Sequence, residues 1–217
     1  MSIELNLKKI KKVLPQDIKL IAVSKTKPIS DIQKAYSLGQ LDFGENKVQE
    51  LIKKAETLPK NIRWHMIGHL QRNKVKSILP IVYMIHSVDS IRLFEEINNR
   101  AQNLKKKIKV LIQIDISQDQ TKFGFSFDHI ESIFKSNELE RFHYVSIDGL
   151  MGMASFTEEK RIIKKEFLSL QELYNKYKKK YSFKYLSMGM SGDYKIAIKC
   201  NSNMIRLGSN IFGSRNY

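Results

Sequence analysis

The feature that most constrains this chain is an alternation, repeated along nearly its whole length, of short β-branched runs with longer stretches of helical apolar spacing. Repetition of this kind marks βα units, in which a helix carries the chain back across a sheet so that the next strand runs parallel to the last. Candidate strands fall at Leu20 to Ser24, Asp42 to Gly44, Arg63 to Ile67, Met84 to Val88, Lys109 to Ile116, Tyr144 to Leu150, Lys184 to Met188 and Met204 to Leu207. Eight strands in 217 residues favour an α/β fold of one closed (β/α)8 barrel, a single domain over residues 1–217, above an open doubly wound sheet.

The helical stretches carry their own signals. Ile3, Leu7, Ile10 and Leu14 recur at helical spacing, which predicts an amphipathic first helix and not the continuous apolar core of a signal peptide. Ser30 with Gln33 reads as a capping box, and Thr157 followed by Glu158 and Glu159 opens a long helix with anions at the positive end of its dipole. The stripe Ile163, Phe167, Leu170, Tyr174 and Tyr177 on that helix predicts a face turned to the core.

Composition removes several classes of function. The longest apolar run, Ile78 to Ile85, contains Pro80 and falls far short of the roughly 20 residues of a membrane span, so no membrane association is expected. The single cysteine, Cys200, cannot form an internal disulfide, which fits a reducing cytoplasm, and it reads as an ordinary helix residue. A net charge of +16 is the footprint of nucleic-acid binding only where it is clustered. Here the lysines are spread over nearly every expected helix, and the densest runs, Lys105 to Lys107 and Lys178 to Lys180, fall at helix ends where they complement the dipole. No zinc-finger spacing or aromatic RNA-binding motif accompanies them, so specific nucleic-acid binding is not expected.

In a barrel of this kind the chemistry gathers in the loops after the strands. Lys25 follows the first strand directly in AVSKTKP, Ala22 to Pro28. It either snorkels to solvent or serves as a partly desolvated amine, nucleophilic toward an aldehyde, with Lys27 adding like-charge pressure in the same direction. FGEN, Phe43 to Asn46, ends the second strand, and glycines at Gly44 and Gly68 allow a sharp turn or the close approach of a ligand. His65 and His69 are four apart, but on a strand and its loop that spacing does not align two ligands as a helix would, and no metal is expected. SMGMSGD, Ser187 to Asp193, and RLGSNIFGSR, Arg206 to Arg215, each join glycines to small hydroxyl residues ahead of a helix. Loops of that composition after the seventh and eighth strands point to a phosphate ligand.

With those segments in view, the chain resembles the pyridoxal phosphate homeostasis protein family, also called YggS-like or proline synthetase co-transcribed proteins. The resemblance runs nearly end to end through AVSKTKP, FGENKVQE (Phe43 to Glu50), WHMIGHLQRNK (Trp64 to Lys74), VLIQIDIS (Val110 to Ser117), TKFG (Thr121 to Gly124), GLMGMASF (Gly149 to Phe156), LSMGMSGDY (Leu186 to Tyr194) and IRLGSNIFGSR (Ile205 to Arg215). It implies a single barrel like the N-terminal domain of bacterial alanine racemase and pyridoxal 5'-phosphate (PLP) as cofactor, joined to Lys25 as a Schiff base. It further implies that Asn46, Ser191, Arg206, Gly208 and Ser209 belong to the cofactor pocket, with Arg206 facing the pyridine nitrogen. Ser209 stands where many relatives carry threonine and keeps the hydroxyl; Gly192 replaces a commonly polar residue.

The function so implied is PLP homeostasis: holding the cofactor, buffering its reactive aldehyde and passing it to PLP-dependent apoenzymes, with no catalytic residue of its own; the single cysteine favours the cytoplasm, and the lack of an evident exposed apolar face favours a monomer. An arginine at the ring nitrogen donates but does not accept, which weakens the cofactor as an electron sink. The principal alternative is an amino-acid racemase, which normally needs a second acid or base opposite the lysine. In the related racemases a further domain supplies that group, and a chain ending at Tyr217 leaves no room for one. A barrel acting on a sugar phosphate through Lys25 is a third reading.

Overall fold

The computed structural model describes residues 2–117 and 123–213. Thr121 and Lys122 of the TKFG motif, and Ser214 and Arg215 at the end of the last motif, lie outside the described residues. A first helix, α1 (Ile3–Val13), leads into β1 (Lys19–Val23), α2 (Ile29–Ser37), β2 (Asp42–Glu45), α3 (Val48–Thr57) and β3 (Arg63–Met66). A single 3-10 turn, Arg72–Lys74, precedes α4 (Val75–Ile78) and β4 (Val82–Val88), followed by α5 (Ile91–Asn103), β5 (Ile108–Ile114) and α6 (Phe127–Ser136). A second 3-10 turn, Glu138–Arg141, comes before β6 (Val145–Gly152) and α7 (Lys160–Tyr181). The chain finishes with β7 (Tyr185–Ser187), α8 (Tyr194–Lys199), β8 (Met204–Leu207) and α9 (Ser209–Phe212).

The strands form a closed barrel in the order β1 to β8, every neighbouring pair parallel. Closure is made by β1 on β8, where Ile21 pairs with Arg206 and Ala22 with Leu207. The eight expected strands are thus the eight observed, with no end displaced by more than two residues. Closure leaves no sheet edge open to another chain, which is the physical advantage of a barrel over an open sheet.

Because side chains alternate across a strand, each strand contributes to two cores. Ile21, Met84, Leu111, Met151 and Met204 meet inside the barrel as its apolar core. The outer core is larger and lies between the sheet and the helices, taking in Ala22, Phe43, Trp64, Ile85, Val110 and Leu150 from the strands. A packed interior turns the search for a ligand site to the loops at the strand ends. The β6–β7 contact is so close that a side chain at Gly149, where φ is +154°, would place its Cβ 1.8 Å from the Tyr185 carbonyl oxygen. Only glycine fits there.

Local signals hold in part. The α1 stripe buries Leu7 and Ile10, and Ser2 caps the helix by accepting from the Leu5 N–H. The expected α7 stripe is buried at all five positions. Neither proposed cap survives, however. The α2 helix has already begun at Ile29, with Pro28 as its N-cap, so Ser30 is inside it and caps nothing. The α7 helix starts at Lys160, and Thr157 accepts from the Glu159 N–H one step upstream. Cys200 follows the last residue of α8 as its cap and is buried, which pushes its thiol pKa up and leaves it a packing residue.

Candidate functional site

β1 sets the direction of Lys25. Ile21 points to the barrel axis, so a two-residue period turns Ala22 and Ser24 outward and brings Lys25 back into the inward phase. The Ser24 N–H still bonds to the Gly44 carbonyl, extending the β1–β2 ladder to the residue before Lys25. The chain then turns: Thr26 adopts a left-handed φ of 66°, and the Lys27 N–H bonds to the Ser24 carbonyl. Lys25 is half-buried at the mouth of the barrel. Lys27 reaches the carbonyls of Phe212 and Gly213 at 3.3 and 3.4 Å, so its charge serves the C-terminal end of α9.

Asn46 leaves the end of β2 and is pressed by the loop after β3. A Cβ at Gly68 would lie 2.4 Å from the Asn46 carbonyl oxygen, so glycine is what allows the two loops to touch. The Asn46 Oδ1 is buried without a hydrogen-bond partner. A buried acceptor in that state costs about 1–3 kcal/mol unless a donor arrives.

The loops after β7 and β8 meet each other. Asp193 shapes the first by accepting from the Met190 N–H at 2.5 Å, while the Met190 carbonyl receives the N–H groups of Asp193 and Tyr194. Ser191 stands at the crest of that turn, and its Oγ accepts from the Gly208 N–H at 3.3 Å. Gly208 precedes the single turn of α9, whose first residue, Ser209, is exposed. The first N–H groups of a helix have no acceptor within it, so this corner offers backbone donors beside two hydroxyls.

Arg206, in β8, is fully buried. Its guanidinium donates to the Ser187 carbonyl at 3.0 Å, to the Ser187 Oγ at 2.7 Å and to the Gly152 carbonyl at 3.1 Å. Burial pulls its pKa down to about 10, with Asp193 opposing, and it remains a cation at neutral pH. All its named acceptors are neutral, so it enters the site as a fixed donor and a positive charge.

Lys25, Asn46, Ser191, Arg206, Gly208 and Ser209 therefore come from β1, β2, β7 and β8 or the loops just after them. In the closed order those four strands are contiguous, β7-β8-β1-β2, so the six residues share one arc of the barrel. The pairing of Ser191 with Gly208 is a direct contact within the set. The acceptors that hold Arg206, Ser187 and Gly152, were not singled out from sequence, nor was a buried cluster of Glu45, Glu50 and Lys54 behind Lys25. The signal for the cluster was a carboxylate at the end of an apolar strand, followed by Glu50 and Lys54 four apart on one helix.

The two histidines diverge. His65 is inside the barrel, 2.9 Å from Asp42 Oδ1 and 2.8 Å from the His86 Nε2, whereas His69 contacts Asp89 at 2.9 Å and stacks on Phe123. Among the described residues no group of three or more His, Cys, Asp or Glu side chains is placed to hold a metal ion.

The family model for the alanine racemase N-terminal domain matches residues 1–216. The chain is 36% identical over 206 residues to the pyridoxal phosphate homeostasis protein of Pasteurella multocida, covering 92% of this chain and 88% of the relative. It is 34% identical to that of Schizosaccharomyces pombe, covering 92% and 85%. PipY of Synechococcus elongatus, solved with PLP bound, superposes with a TM-score of 0.89 at 31% identity, covering 98% of this chain and 100% of that one. Alanine racemase of Clostridium difficile matches with a TM-score of 0.79 at 17% identity, covering all of this chain and 57% of that one, and shares the fold. With a family model over nearly its whole length and relatives at this identity and coverage, the chain belongs to the pyridoxal phosphate homeostasis proteins, built on the alanine racemase N-terminal barrel.

Proposed function

We propose that this protein binds PLP on the arc formed by β7, β8, β1 and β2 and serves to hold and release it, with no strong turnover of its own. The observation that carries the reading is the convergence of an inward lysine, two linked hydroxyl-bearing loops and a buried arginine on four adjacent strands. When bound, PLP supplies an aldehyde that condenses reversibly with a primary amine. Lys25 is the amine in this reading, brought to the barrel mouth by the phase of β1. Ser191, Gly208 and Ser209 hold the phosphate with hydroxyls and backbone N–H groups. Asn46 fits beside the ring because its buried Oδ1 lacks a donor, and an amide can present either end to a neighbour.

Arg206 gives the site its character. Placed against the ring nitrogen, a guanidinium with a pKa of about 10 would keep its protons at neutral pH, donating a hydrogen bond with no lone pair to accept one. With PLP bound, Arg206 would leave the ring nitrogen unprotonated, which would weaken the cofactor as an electron sink and disfavour carbon-acid chemistry such as racemisation. Supply of PLP to dependent apoenzymes, in the cytoplasm and by a single barrel acting as a monomer, completes the proposal.

Purified protein should be yellow, and borohydride reduction followed by peptide mapping should place the cofactor on Lys25. Lys25→Ala should lose the visible band while retaining some phosphate-anchored affinity. A colourless protein that takes no label from added PLP would sink the reading, as would alanine racemisation that Lys25→Ala abolishes. Transfer from loaded protein to an apoenzyme, run with a trap for free aldehyde, should separate direct handover from release into solution.

A further inference from the structure

The outward side of the Lys25 loop is held by a buried polar cluster to which the proposed function assigns no role. The Ser24 Oγ donates to Glu45 Oε1 at 2.5 Å. Lys54 Nζ, from α3, donates to that same oxygen, to the Ser24 carbonyl and to Glu50 Oε1, each at 2.8 Å. Glu50 Oε1 in turn accepts from the Thr26 N–H at 2.7 Å. Glu45 is 0% exposed and Lys54 5% exposed, and the Glu45 Oε2 is buried without a partner.

A buried ion pair of this kind is weak evidence for stability, since apolar side chains of similar volume often serve as well. The unpartnered oxygen adds to its cost. What the cluster does hold is specific: Ser24 and Thr26 are the residues on either side of Lys25, and both are fixed from behind by groups on β2 and α3. Fixing Ser24 outward fixes Lys25 inward, by the alternation of the strand. Thr26 is held at φ 66°, a backbone state that costs a non-glycine residue of order 1–2 kcal/mol and persists only where its surroundings impose it.

We propose that Lys54, with Glu45 and Glu50, is a positioning residue for Lys25: it clamps the backbone before and after the lysine and so aims its amine at the reacting carbon of the cofactor. This rests on Lys25 being the attachment residue. Small displacements of a reacting group carry large effects, which is why reactive side chains are held from behind.

The test compares two ligands on the full chain, PLP and pyridoxine 5'-phosphate, which carries an alcohol at the carbon where PLP carries the aldehyde. Lys54→Met should lower affinity for PLP about tenfold or more and weaken the visible band, while affinity for the alcohol ligand stays within about twofold. Glu50→Gln, which keeps the Lys54–Glu45 pair, should show a smaller loss of the same kind, and it decides the matter alone where Lys54→Met fails to fold. Equal losses for both ligands, or no loss in either variant, would overturn the clamp. If Lys25→Ala leaves the preference for PLP over the alcohol unchanged, the attachment reading itself falls, and the clamp with it.

Discussion

At the residue scale, Glu45 shows how burial competes with pairing. Desolvation outweighs the bonds from Lys54 and Ser24 and pushes its pKa up to about 7 from an ordinary 4.5. Between those values the folded protein keeps a proton that the unfolded chain has released. Proton binding therefore favours the folded state below pH 4.5 to 5, and that contribution is lost as pH rises toward 7. The size is roughly 3–4 kcal/mol, at about 1.4 kcal/mol for each pH unit between 4.5 and about 7. The buried histidines act in the opposite sense: burial lowers the pKa values of His65 and His86, so their contribution is lost as pH falls. A difference measurement isolates Glu45. Urea-unfolding stability of the parent minus that of Glu45→Gln should fall between pH 5 and 7, and a flat difference would show that Glu45 titrates as an exposed carboxylate does.

At the scale of elements, the loops after β7 and β8 are joined because Ser191 ties Gly208 to the β7–α8 turn. Ser191→Ala removes both a hydroxyl proposed for the phosphate and the acceptor for Gly208, whereas Ser209→Ala removes only an exposed hydroxyl. At about 1 kcal/mol per lost hydrogen bond, the double variant should lose PLP about tenfold faster or more on dilution, with Ser191→Ala the larger single effect. Equal and negligible effects would mean that backbone N–H groups alone hold the phosphate. These loops were legible in the sequence because glycine and serine ahead of a helix carry a local meaning, and the strands were legible because period and burial agree along each one. The clamp was not, since Ser24, Glu45, Glu50 and Lys54 lie on three elements and only the β1–β2 register and the placing of α3 bring them together. The failed caps have the same origin. At Ser30 and Thr157 the local pattern is present, but packing of α2 and α7 on the barrel fixed their starts elsewhere.

At the scale of the whole molecule, the charge of +16 calls for an account that does not compete with the site. Much of it is spent on neighbouring elements. Lys106 donates to the carbonyls of Leu79 and Pro80 just beyond α4, Lys180 to that of Phe134 in α6, and Lys27 to those of Phe212 and Gly213 at the end of α9, each a cation at a helix C-terminus. Others form exposed pairs within a helix, such as Lys8 with Glu4 on α1. Such a surface attracts any polyanion, but its charges are exposed and screened, so binding should fall steeply with salt as counterions cease to be released. The proposed PLP site differs in kind, because neutral donors in a partly enclosed corner, and a covalent link, do not depend on the ionic atmosphere. Raising salt from about 50 to 200 mM should therefore strip a bound RNA or DNA oligonucleotide by orders of magnitude while changing PLP retention less than about twofold. Were both to fall together, the phosphate would have to be held by surface lysines, and the Ser191–Gly208 corner would lose its assigned role.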